Sequence, residues 1–152
     1  MLHGHIVSAV EGYLAATFIH NVNKYQSLKR KLVETDPTFA KQTFSMKEIF
    51  EKHSSLESTV ASCLKDLIFH ELKVVKPMFR TVLGHDFGDI GWLFKAVSLR
   101  HDCVHRAGYD KENKRIDLSE ENISILLENV ETLADRLELT VANIEQDQAI
   151  DF

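Results

Sequence analysis

The sequence predicts an all-α fold, a bundle of about four main helices with short accessory helices. Its 152 residues include only two prolines and six glycines, too few for the frequent turns of a many-stranded sheet. Apolar residues instead recur every three or four positions over long segments, which is the spacing of one helix face. The length suits one domain, so residues 1–152 are interpreted as a single helical domain.

The first helix is predicted to begin at Leu2 and to end near Leu32. Its apolar positions form one continuous stripe: Leu2, Ile6, Val10, Leu14, Phe18, Val22, Tyr25, Leu28 and Leu32. A basic cluster at residues 29–31 suits a helix C-terminus, where cations interact favourably with the helix dipole. Pro37 then ends the helix, because proline disfavours helical backbone in the residue before it.

Two capping boxes organise the middle of the chain. Ser45 with Glu48, and Ser54 with Glu57, have the spacing at which a serine and a glutamate satisfy free N–H groups at a helix start. They predict a short helix and then a longer one that continues to about Val75.

Proline and glycine mark the boundaries that follow. Pro77 suits the first turn of another short helix, and Gly84 suits its end. After a loop at residues 85–91, a helix is predicted from Trp92 that ends at or before Gly108.

The last helix is predicted to begin at Asp117 or Ser119, after a polar loop. Its apolar stripe consists of Ile123, Leu126, Leu127, Val130, Leu133, Leu137, Val141 and Ile144. Residues 145–152 are predicted to be a frayed tail.

Charge and cysteine content narrow the class of protein. The net charge is −5 and the pI is about 5.9, whereas proteins that coat nucleic acid usually carry a basic surface. Cys63 and Cys103 are interpreted as reduced thiols. The N-terminal residues do not resemble a signal peptide, and no apolar run is long enough for a membrane span. A cytoplasmic protein without a membrane partner is therefore expected.

Among the histidines, only one cluster stands out. His3 and His5 form an H-x-H pair that is interpreted as part of a flexible N-terminal turn. His85 and Asp86 lie in a glycine-flanked loop without a further signal. In contrast, ionisable residues crowd the segment 100–106 inside an apolar-patterned helix. Burying such groups without partners costs several kcal/mol, so the cluster indicates either a functional cleft or a salt-bridged turn at the surface.

This cluster resembles a known family. Arg100 and His105 are separated by four residues and match the R-x4-6-H signature of the HEPN superfamily, and His101 stands where that family has a polar residue. The string from Arg100 to Gly108, placed between a Trp-containing helix and a long final helix, resembles the RiboL-PSP-type HEPN branch. The resemblance in helix order covers about residues 2–144, and its specific part is 100–108.

The resemblance implies a HEPN-type helical bundle that dimerises so that two motifs face each other across a cleft. It further implies a metal-independent endoribonuclease without a cofactor, of a kind frequent in bacterial toxin and defence systems. The implied partners are RNA, a second copy of the chain, and an antitoxin or regulatory protein.

The residue types suit this chemistry. Histidine titrates near neutrality and can act as base or acid, so His105 is assigned that role, with His101 as an auxiliary group. Arg100 is assigned as the clamp on the phosphate, because a guanidinium stays charged and binds phosphate oxygens in a planar fork. Asp102 is expected to orient a histidine or the arginine.

Arg106 and Lys95 are candidate RNA contacts. The spacing of the motif poses a geometric problem, because residues five apart on a regular helix differ by about 140° and roughly 7.5 Å along the axis. Arg100 and His105 can therefore meet only if the arginine reaches around the helix, the helix is irregular, or a partner chain supplies one of the two.

Two alternatives remain open. A zinc hydrolase would use His101 and His105, whose i,i+4 spacing resembles H-E-x-x-H. Its third ligand would be a carboxylate or a residue from elsewhere in the chain, such as His3 or His85. Aspartate replaces the catalytic glutamate of that motif, and Arg100 would oppose a metal cation. The other alternative is a catalytically silent HEPN-like module that binds a protein, nucleotide or RNA partner.

Overall fold

A computed structural model describes residues 2–106 and 108–150. The prediction of an all-α fold is confirmed, and in these ranges the only β-type pairing is an isolated antiparallel bridge between Tyr109 and Arg115. The helices are α1 (Leu2–Lys24), α2 (Gln26–Thr35), α3 (Pro37–Ala40), α4 (Ile49–Asp66), α5 (Leu72–Leu83), α6 (Gly91–His105) and α7 (Glu120–Ile150), with a 3-10 turn at Met46–Glu48. No helix among the described residues is long and apolar enough to cross a membrane.

The predicted first helix is divided in two. Tyr25 has extended backbone angles, φ −115° and ψ 119°, and separates α1 from α2. The apolar stripe nevertheless continues across the break, since Val22, Leu28 and Leu32 are all buried. The prediction of one continuous helix was wrong here. A break that keeps both segments packed on the same core leaves the apolar periodicity unchanged.

The first predicted capping box is confirmed and the second is wrong. Glu48 Oε2 accepts hydrogen bonds from the backbone N–H and the hydroxyl of Ser45, at 2.9 and 2.7 Å. Ser54 and Ser55 instead lie inside α4, where their hydroxyls donate to carbonyls three residues earlier. The helix ends at Asp66 rather than near Val75, because Leu67 has extended backbone with ψ 133°.

Helix α5 begins earlier than predicted. Pro77 lies in its interior rather than in its first turn, since the helix starts at Leu72. The apolar positions Leu72, Val75 and Phe79 are buried, and this packing offsets the hydrogen bond that proline removes. Gly84 closes the helix as predicted, with a left-handed φ of 69°.

The prediction of a frayed tail from residue 145 is wrong as far as Ile150, because α7 continues to that residue. Lys24 Nζ lies 2.8 Å from Glu145 Oε1, and the Ser27 hydroxyl donates to Gln148 Oε1 at 3.0 Å. These contacts tie the end of α7 to the junction of α1 and α2. Residues 151–152 of the predicted tail lie outside the described residues.

The buried side chains form two groups on either side of Trp92. The larger group is centred on the fully buried Phe18, Phe79 and Leu137. The smaller one consists of Ile6, Val7, Ala96 and Leu126, from α1, α6 and α7. Trp92 packs against both groups. The smaller core fixes α6 against α1 and α7, and so positions the motif at the C-terminal end of α6.

Candidate functional site

The predicted motif occupies the last turns of a regular helix. α6 is helical through His105, and the Arg106 backbone N–H donates to the Asp102 carbonyl at 2.8 Å. The suggestion that the helix is irregular at the motif is therefore wrong. On regular helix geometry, Arg100 and His105 project about 140° apart, so the two residues of the signature face different surroundings within one chain.

Arg100 faces α1. Its Nη1 lies 2.6 Å from Glu11 Oε2 and 3.4 Å from the Ser8 hydroxyl. The side chains of Arg100 and Glu11 are 23% and 15% exposed, so this is a mostly buried ion pair that joins α6 to α1. The other carboxylate oxygen, Glu11 Oε1, is buried without a hydrogen-bond partner in the described structure.

His101 and His105 lie on another side of α6. Their i,i+4 spacing brings the two rings together, with centroids 4.5 Å apart and planes inclined by 45°. Both residues are exposed, and the His101 side chain is 65% exposed. Two imidazoles are thus presented to solvent side by side.

Asp102 lies at the base of this pair. Its side chain is only 7% exposed, and its Oδ1 lies 3.3 Å from Arg106 Nε and 3.8 Å from His101 Nδ1. Asp102 was expected to orient a histidine or Arg100; its ion-pair partner is Arg106, and Arg100 contacts Glu11 instead. Asp102 is therefore the residue that both Arg106 and His101 approach in the same chain.

Lys95 does not lie with the other predicted site residues. It lines a cleft of about 470 Å³ formed by α6, α7 and the segment between them, together with Trp92 and Arg115. We call this the α6–α7 cleft. Six positions separate Lys95 from His101, which on a regular helix corresponds to about 120° around the axis, so Lys95 points away from the histidine pair.

His3 and His85 do not complete a metal site. His3 belongs to helix α1 and is buried, so the prediction of a flexible N-terminal turn is wrong. The His85 Nδ1 lies 2.8 Å from the Thr140 hydroxyl, and its ring packs edge-on against Phe87. Burial lowers the pKa of both imidazoles, and the nearby Arg136 cation lowers that of His85 further. Among the described residues, no three His, Cys, Asp or Glu side chains are grouped to hold a metal ion.

Glu11 is the site residue that sequence reasoning missed. A signal was present, because Glu11 is the only acidic residue in the first 33 positions and directly follows Val10 of the apolar stripe. A single carboxylate at the margin of a buried stripe indicates a cationic partner on a neighbouring helix. The sequence does not show which cation that is.

Comparisons with protein-family models, with curated proteins and with solved structures each find no match.

Proposed function

We propose that this protein is a metal-independent endoribonuclease of HEPN type. The observation that carries the proposal is the exposed pair of imidazoles, His101 and His105, at 4.5 Å between ring centroids. Arg106 supplies a cation on the same helix end, where it lies 3.3 Å from Asp102 Oδ1. Two neighbouring acid–base groups and a cation are what RNA transesterification requires, because RNA supplies its own nucleophile.

The reaction needs two proton transfers. A base removes the proton from the 2′-hydroxyl, whose oxygen attacks phosphorus, while the bond from phosphorus to the 5′-oxygen breaks and an acid protonates that leaving oxygen. His105 is assigned to one transfer and His101 to the other. Arg106 stabilises the negative charge that develops on the phosphorane oxygens, and Asp102 holds Arg106 in place. The products are a 2′,3′-cyclic phosphate and a free 5′-hydroxyl.

In this proposal Arg100 acts across a homodimer. Within its own chain it is directed at Glu11, but both of its hydrogen bonds there use Nη1, and a guanidinium carries five N–H donors. A two-fold axis beside the C-terminal end of α6 would bring Arg100 of one chain towards His105 of the other. An antitoxin or another regulatory protein would then act by blocking this cleft or the dimer.

The test is cleavage of a labelled structured RNA in excess EDTA. Wild type is compared with Arg100→Ala and His105→Ala, and with Arg80→Ala and His53→Ala as matched controls at exposed positions on α5 and α4. We expect cleavage by wild type and both controls, and a loss of about 100-fold or more in both Arg100→Ala and His105→Ala. A substrate with a 2′-deoxy nucleotide at the cleavage position should remain intact. Cleavage of that substrate, or full activity of His105→Ala, would refute the mechanism.

The dimer is tested by mixing the two inactive variants. A heterodimer of Arg100→Ala and His105→Ala contains one composite site with both residues intact, so random mixing should restore about a quarter of wild-type activity. If the two residues had to act within one chain, mixing would restore none.

A catalytically silent binding module is the second candidate. The Arg100–Glu11 ion pair favours it, because this contact gives Arg100 a purely structural role. Absence of cleavage by a folded, dimeric wild-type protein would favour this candidate over the ribonuclease.

A further inference from the structure

The α6–α7 cleft contains a buried histidine without a partner. His3 projects from α1 and lines the cleft, and only 6% of the residue is exposed. Its Nδ1 has no hydrogen-bond partner in the described structure. A buried polar nitrogen costs free energy unless something pairs with it, so a bound group that reaches His3 Nδ1 would gain a hydrogen bond that the chain itself does not supply. Burial lowers the pKa of His3, so a neutral ring with one donor and one acceptor nitrogen lines the cleft near pH 7.

Three basic residues line the cleft beside two acidic ones, Asp110 and Asp117. Lys95, Lys114 and Arg115 all line it, and Lys114 is paired with the exposed Glu112 at 3.6 Å. Within the described part of the chain, Lys95 and Arg115 take part in no ion pair of 4 Å or less. Lys95 and Arg115 are thus two cations in the lining of the cleft that are available to pair with a bound anion.

The two carboxylates that line the cleft accept hydrogen bonds from the loop before α7 and from the first turn of α7. Asp110 Oδ1 accepts the backbone N–H groups of Glu112 and Lys114, at 2.8 and 2.9 Å. Asp117 accepts the Ser119 N–H at 3.0 Å and the Asn122 amide at 3.1 Å. These acids shape the loop before α7, and their hydrogen bonds hold them there.

The remaining walls are apolar. Trp92 and Leu99 of α6 face Ile123 and Leu126 of α7 across the cleft. The volume of about 470 Å³ falls in the usual range of small-molecule sites, about 300–1,000 Å³, where apolar walls with a few polar groups are also typical.

We propose that the α6–α7 cleft binds a small organic anion. Its apolar body packs between Trp92 and Leu126, its carboxylate or phosphate head pairs with Lys95 and Arg115, and His3 Nδ1 forms a hydrogen bond with the same ligand. This site is separate from the proposed ribonuclease centre, since nine positions separate Trp92 from His101 and place them on opposite sides of α6.

The fluorescence of Trp92 can be used to measure ligand binding to the cleft. Trp92 is the only tryptophan in the sequence and lines the cleft. Wild-type protein is titrated with octanoate, octyl phosphate and the uncharged 1-octanol while tryptophan fluorescence is followed. We expect saturable binding of at least one anion at submillimolar concentration, and affinity for 1-octanol roughly tenfold or more weaker. Comparing octanoate with octyl phosphate shows whether the head group is a carboxylate or a phosphate.

Variants locate the site. Lys95→Gln and Arg115→Gln should each weaken anion binding by roughly tenfold, whereas Lys73→Gln, an exposed change on α5, should leave it unchanged. His3→Phe should reduce binding by filling the cleft, and circular dichroism confirms that each variant is folded. Equal binding of 1-octanol and octanoate, binding unaffected by Lys95→Gln and Arg115→Gln, or no saturable signal for either anion would overturn the proposal. RNA cleavage is not the readout, so this result is independent of the ribonuclease test.

Discussion

The two sides of α6 near its C-terminus place ionisable side chains in different surroundings. On the side that faces α1, Arg100 is mostly buried and lies 2.6 Å from Glu11. On the other side, His101 and His105 lie next to each other in solvent. Successive residues of a helix are turned by about 100° around its axis. A motif that is continuous in sequence can therefore place one residue in a buried ion pair and others in solvent. We expect the Arg100–Glu11 pair on the buried side to contribute most to stability, and the exposed histidine pair to contribute little to it.

The largest stability effect is expected at Glu11. Glu11→Ala leaves the mostly buried Arg100 without its partner, and should lower the free energy of unfolding by about 2–3 kcal/mol. Urea unfolding monitored by circular dichroism measures this. The double variant Glu11→Ala/Arg100→Ala should lose less than the sum of the two single changes, by about 0.5–3 kcal/mol. Strict additivity would mean that the two helices are not coupled through this pair.

Asp102 lies between the two sides, and a smaller loss is expected there. Asp102→Asn keeps the shape of the side chain and removes the charge that faces Arg106, whose side chain is 44% exposed. The free energy of unfolding should fall by about 1 kcal/mol. Cleavage of RNA should also slow, because Asp102 then no longer holds the Arg106 guanidinium in place. Lost stability with unchanged cleavage would remove Arg106 from the proposed mechanism.

Acidification should weaken the fold through the buried histidines His3 and His85. Burial lowers the pKa of His3 and His85 in the folded protein, whereas the unfolded chain binds these protons near pH 6.5. Between the folded and unfolded values the unfolded chain carries more protons, so stability is complete above about pH 6.5 and declines as the pH falls below it.

The measurement is urea unfolding at pH 7.5 and at pH 5. His85→Gln should reduce the difference between the two pH values, and His53→Gln, a change at an exposed position on α4, should not. An unaltered difference in His85→Gln would assign the acid sensitivity to other groups.

The smallest stability effect is expected on the exposed side. His101→Ala and His105→Ala remove side chains that lie in solvent, and each should change the free energy of unfolding by no more than about 0.5 kcal/mol. The same variants should abolish or strongly slow RNA cleavage. A large loss of stability in either one would mean that the histidine pair is structural, and the contrast between the two sides of α6 would fail.

Periodicity predicted most of the helices but not their breaks. The stripes from Leu2 to Leu32 and from Ile123 to Ile144 identified helical segments because burial on one face leaves a repeating pattern. The same pattern is unchanged by the extended residue Tyr25. Pro77 was misplaced because tertiary packing tolerates a proline inside α5, against its local preference.

The residue types of the site could be predicted from the sequence, whereas its contacts between distant residues could not. The i,i+4 contact of His101 with His105 follows from helix geometry and could be read from the sequence. The Arg100–Glu11 pair joins positions 89 residues apart, and no local rule connects them. Burial of His3 depends on α6 and α7 closing over the N-terminal turn of α1, which its neighbours in sequence do not reveal.

The pairing of the first long helix with the last has a consequence for how the chain is made. The Tyr13 hydroxyl donates to Glu138 Oε1 at 2.6 Å across 125 residues, and Lys24 meets Glu145 at a similar separation. During translation at about 5–20 residues per second, α1 therefore waits roughly 6–25 s for this partner. Throughout that interval its apolar face, with Leu14 and Phe18, lacks part of its final cover. The nascent chain is thus a candidate client for chaperones until its last turns leave the ribosome.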